Sequence, residues 1–96
     1  MSPQKKKELN IIRKKLDKLD NSLINVIKKR TELVKKVLKL KEYKNEIVDK
    51  NRIKKILKNI RDKSVHKKID PKITERIWYN MIYAYIDFER RNFKKK

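Results

Sequence analysis

Glycine is absent from all 96 residues, and proline occurs only at positions 3 and 71. The two residues that most readily end a helix are thus missing between those prolines, and helix is the expectation throughout. From Leu9 the apolar positions run Leu9, Ile12, Leu16, Leu19, Leu23, Val26, Leu33, Val37 and Leu40. Alternating steps of three and four define a coiled-coil-like seam, and the one seam position without an apolar residue is Arg30. The pattern predicts a first helix from about Gln4 to Tyr43, around 60 Å long at ~1.5 Å per residue.

The polar segment KEYKNEIVDKNR follows, and within it Asp49 is placed to cap a second helix. Ile53, Ile56, Leu57 and Ile60 fall on one face of that helix, which is expected to end near Lys63. KSVHKKIDP reads as a connection, with His66 exposed in it. Asp70 is the N-cap of a third helix, and Pro71 sits at its first position, where a missing N–H costs nothing. That helix is expected to reach about Phe93 with Ile73, Ile77, Met81, Ala84, Tyr85 and Phe88 inward. Helices this unequal cannot close a bundle alone, because much of the first helix's seam would face water. Pairing two copies of that helix would cover it, so residues 1–96 are expected to form one all-α, three-helix domain that acts as a homodimer.

No cysteine is present and there is a single histidine, so disulfides, thiolate metal sites and imidazole clusters are excluded. No metal or cofactor is expected. No apolar run approaches the ~20 residues that span a bilayer, and the opening MSPQKKKELN lacks a signal-peptide core, so no membrane partner and a cytoplasmic location are expected. The net charge of +19 first suggests an anionic partner. With 24 lysines, however, compositional bias accounts for most of it. The seven arginines are more informative, because guanidinium suits planar, bidentate contact with carboxylates.

Arg30 interrupts the seam and needs an anion there, either a ligand or a protein carboxylate such as Glu75 or Glu89. Lys41, eleven residues on, falls within about 20° of the same helix face, roughly 16 Å along the axis. Both can line one elongated cavity. Arg13 lies about 100° round the helix from Arg30, which suits it to the site of a paired chain. Asp49 reads as a cap, a role that leaves ligand contact open. Trp78, Tyr79, Tyr83 and Phe88 read as packing and interface residues rather than a stacking platform for bases.

As a whole, IIRKKLDKLDNSLINVIKKRTELVKKVLKLK resembles the first helix of the all-helical, AroQ-type chorismate mutases. The matching elements are Arg13, LDKLD at 16 to 20, RTELV at 30 to 34, and Lys41. The resemblance continues through IVDKNR at 47 to 52 and IWYNMIYAYIDFE at 77 to 89. It implies an intertwined homodimer with two shared active sites. There Arg30 and the partner's Arg13 would bind the two carboxylates of chorismate, and Lys41 would donate to its ether oxygen. Arg52 would support the carboxylate end and Asp49 would lie near the ring hydroxyl. Glu89 would stand where a Gln usually donates to the ether oxygen. The implied reaction, chorismate to prephenate, proceeds by conformational restraint and cationic stabilisation.

Two departures bear on specificity. Ile53 follows Arg52 where mutases often carry a Glu that orients the ring hydroxyl. Ile53, the loop length between Lys41 and Arg52, and the Tyr85–Ile86 pair are closer to the related isochorismate pyruvate lyases, which yield salicylate and pyruvate. Glu89 is the second departure, since an ionised carboxylate cannot donate a hydrogen bond. A basic helical nucleic-acid-binding protein is the more distant alternative. Arg30 in the apolar seam and the lack of a base-reading motif weigh against it.

Overall fold

A computed structural model describes residues 1–94, which form three α-helices: α1 (Pro3–Leu40), α2 (Lys50–His66) and α3 (Pro71–Asn92). A 3-10 turn at Lys44–Glu46 lies between α1 and α2, and no strand occurs among the described residues. The chain divides into two compact units, Met1–Val34 and Lys35–Lys96.

Each helix start carries its own signal. Ser2 Oγ accepts from the Lys5 N–H at 3.2 Å. Asp49 caps α2 by accepting from the Arg52 N–H at 3.0 Å, and Asp70 caps α3 by accepting from the Lys72 N–H at 2.9 Å. Pro71 occupies the first turn of α3, so all of these side chains satisfy or avoid orphaned N–H groups.

The first unit consists of α1 up to Val34 and the residues before it. None of α1 is buried, and Ile12, Leu16, Leu19, Leu23, Val26 and Leu33 of the seam are all exposed. At its far end α1 stops at Leu40, three residues short of the expected Tyr43. There the Lys41 N–H turns back to the Leu38 carbonyl in a tighter i→i−3 bond, and the Lys41 side chain is held by groups beyond the helix.

In the second unit α2 and α3 pack on each other. Ser64 faces Thr74, and Arg61 pairs with Glu75 further up, so the two helices run antiparallel. Ile53, Ile56, Leu57 and Ile60 are half-buried on the face expected for them. α2 runs on to His66 rather than ending near Lys63, which shortens the connection and makes the exposed His66 helical. Ser64 explains the extension: its hydroxyl bonds the Ile60 carbonyl and the Thr74 hydroxyl, both at 2.6 Å, and it is buried against α3. The Ile69 N–H then reaches the Ser64 carbonyl and the Lys68 N–H the Val65 carbonyl, a Schellman closure with Lys68 at φ 59°.

The inner face of α3 is also rotated from the expected one. Met81, Tyr85 and Phe88 are half-buried as expected, but Ile73 and Ile77 are 55% and 52% exposed and Ala84 is exposed, whereas Thr74, Trp78 and Ile82 are half-buried and Ile86 and Glu89 are buried. Polar contacts set this rotation. Thr74 must meet Ser64 and Glu89 must meet Lys41, and burying those groups unpaired would cost more than exposing two isoleucine side chains in part.

Candidate active site

The charged contact deepest in the second unit joins the segment after α1 to the C-terminal half of α3. Lys41 Nζ lies 3.0 Å from Glu89 Oε1, with the two side chains 17% and 8% exposed. Lys41 also points a donor at the Ile47 carbonyl, 3.5 Å away. Ile47 is buried directly after the 3-10 turn, so that turn is what aims its carbonyl at the ammonium. Two of the three Lys41 donors are thereby engaged and one remains for a ligand. Because Glu89 is buried and its partner nearly so, the pair is poorly screened and Lys41 has little freedom to swing away.

An open cleft of about 630 Å³ is lined by Lys41, Asn45, Glu46, Val48, Asp49, Lys50 and Asn51. It brings Lys41 and Asp49 onto one concave surface. Asp49 is held rigidly, since one of its oxygens is the α2 cap. Arg52 is exposed in the first turn of α2 and Ile53, next to it, is half-buried. Tyr85 is half-buried on α3, one turn before Glu89. Arg13 and Arg30 belong to the first unit, Arg13 exposed and Arg30 half-buried. Glu75 is paired with Arg61 at 2.7 Å and Glu89 with Lys41.

Sequence reasoning did not single out Ile47. Its signal was present in Ile47–Val48, the one apolar pair in an otherwise polar segment. Periodicity has no purchase on so short a stretch.

The arrangement offers a fixed ammonium that lines a cleft and is held by a carboxyl group, a set suited to holding an anionic molecule and stabilising developing negative charge on oxygen. Over residues 12–90 the chain matches the family model for chorismate mutase type II. It belongs to the chorismate mutase type II family. No curated protein and no solved structure matches it. The matched span of this chorismate mutase family member contains Arg13, Arg30, Lys41, Asp49, Arg52, Ile53, Tyr85 and Glu89. Membership implies a mutase-type activity on a small-molecule substrate, and an all-helical chain agrees with that family's architecture. No helix among the described residues is long and apolar enough to cross a membrane.

Proposed function

We propose that the protein is a homodimeric chorismate mutase, converting chorismate to prephenate at sites shared between two chains. The observation that carries this reading is the Lys41–Glu89 contact, whose ammonium lines the cleft. Lys41 donates to the ether oxygen of the substrate, where negative charge grows as the C–O bond breaks. Glu89 assists from its other side when protonated, because only then does its carboxyl have a proton to donate. Arg30, Arg52 and the partner's Arg13 clamp the two carboxylates, holding the substrate folded with its reacting carbons close together. Asp49 faces the ring hydroxyl, and Ile53 and Tyr85 pack against the ring. The mutase rearrangement is unimolecular, so orientation and electrostatics supply the catalysis.

The exposed apolar seam of α1 supports the dimer, since a row of uncovered leucines and isoleucines is unfavourable in water. A second reading, isochorismate pyruvate lyase, is favoured by Ile53, which is half-buried and has no group to orient a ring hydroxyl. The test incubates purified protein with chorismate and isochorismate separately, measuring prephenate in the first and pyruvate plus salicylate in the second. Prephenate formation is expected. Pyruvate from isochorismate with negligible prephenate from chorismate overturns the mutase reading in favour of the lyase.

A further inference from the structure

Away from the Lys41 cleft, one face of α3 combines cations with uncovered aromatic rings. Lys72, Arg76, Tyr79, Tyr83 and Arg90 fall within about 60° of one another around the helix, and all five are exposed. Tyr79 and Tyr83 are 52% and 45% exposed in the single chain. Their rings lie against each other, with centroids 4.8 Å apart and planes inclined by 46°. Beside them Leu57 of α2 joins Lys72, Glu75, Arg76 and Tyr79 in an open groove between the two helices. The carboxylates bordering this face are already neutralised, Glu75 by Arg61 and Asp87 by Arg91. Lys72 and Arg76 form no ion pair among the described residues, which leaves the groove with uncompensated positive charge.

We propose that this face of α3 and the groove beside it bind single-stranded nucleic acid. Two features select that occupant. Phosphates match the unpaired cations, and an uncovered tyrosine pair offers flat surfaces on which unpaired bases stack. A duplex hides the faces of its bases, and an acidic peptide gains nothing from the rings. From Lys72 to Arg90 the stripe is about 27 Å long at ~1.5 Å per residue, enough for about four nucleotides and at the low end of single-strand site sizes. None of these residues belongs to the Lys41 site, so the proposal stands apart from the mutase reading.

Fluorescence anisotropy tests it, using the full chain and a labelled oligodeoxythymidylate of about twelve nucleotides, titrated over a series of salt concentrations. Replacing Tyr79 and Tyr83 together by Ala is expected to weaken binding about tenfold or more without altering the salt slope, whereas Tyr79→Phe with Tyr83→Phe keeps the affinity. Lys72→Gln with Arg76→Gln is expected to lower the slope of log K against log salt by about 1.4, or ~0.7 for each phosphate no longer neutralised. Far-UV circular dichroism and thermal melting serve as the fold control for all three variants. No binding of the oligonucleotide, a smaller loss than tenfold in the alanine pair, an unchanged slope in the glutamine pair, or equally tight binding of duplex or polyglutamate would each overturn the proposal.

Discussion

Replacing Lys41 by Ala tests whether its contact with Glu89 supports the fold, the chemistry or both. The substitution strips the ammonium from a carboxyl group that is 8% exposed. Removing one partner of a fully buried ion pair costs about 3–5 kcal/mol, chiefly because the other charge is left desolvated. The Lys41 side chain is itself 17% exposed, so water can reach the vacated space, and about 2–3 kcal/mol is expected here. In urea unfolding at fixed protein concentration this is a midpoint shift of about 1–2 M for a chain of this size. Adding Glu89→Gln to the same chain removes the stranded charge, and the double variant is expected to recover more than half of the lost stability. Turnover behaves differently. Lys41→Ala is expected to lower kcat/KM by about 10²–10³-fold, the worth of one preorganised donor, and the double variant stays as inactive as the single one. A midpoint at the wild-type value in Lys41→Ala, or no recovery in the double variant, would refute the electrostatic account of the pair. Turnover restored in the double variant would remove Lys41 from the chemistry.

Three further outcomes are expected. If each site combines Arg30 of one chain with Arg13 of the other, Arg13→Ala and Arg30→Ala are each inactive, yet an equilibrated mixture regains about a quarter of wild-type turnover: half of the dimers are mixed and each mixed dimer restores one of two sites. A mixture as inactive as its components would show that both arginines act within one chain, or not at all. Leu19→Asp places a charge in the uncovered seam of α1 and is expected to convert the dimer to monomer in sedimentation velocity; an unaltered sedimentation coefficient would move the interface off α1. Glu89→Gln is expected to raise kcat/KM for chorismate, because its amide donates a hydrogen bond and an ionised carboxylate cannot. Unchanged or lower turnover in Glu89→Gln would count against position 89 facing the ether oxygen.

The parts of the fold legible in sequence were those governed by local chemistry. Asp49 and Asp70 mark helix starts through bonds to neighbours two or three residues away, and Pro71 does so by having no N–H to orphan; such signals depend on no distant partner. The apolar face of α2 was legible for a similar reason. What escaped periodicity was set by polar side chains meeting across helices. Ser64 looks like part of a connection until Thr74 is opposite it, and the inner face of α3 looks like Ile73 and Ile77 until Thr74 and Glu89 find partners. In the site, Lys41 and Glu89 were named separately by family resemblance, and the structure adds that they touch. Ile47 contributes a backbone carbonyl to Lys41, an atom every residue carries, so the apolar Ile47–Val48 pair could flag its burial but not that contact.

Lys68 holds a left-handed backbone angle where helices most often end on glycine. A residue bearing a Cβ is disfavoured there by about 1 kcal/mol, a cost that glycine, absent from this chain, would not carry. The bend between α2 and α3 therefore retains slack that one codon change could take up. Such unused headroom is what mutational drift leaves behind when a fold is already stable enough to function. It also marks the α2–α3 connection as a place where stability can be raised without touching the cleft.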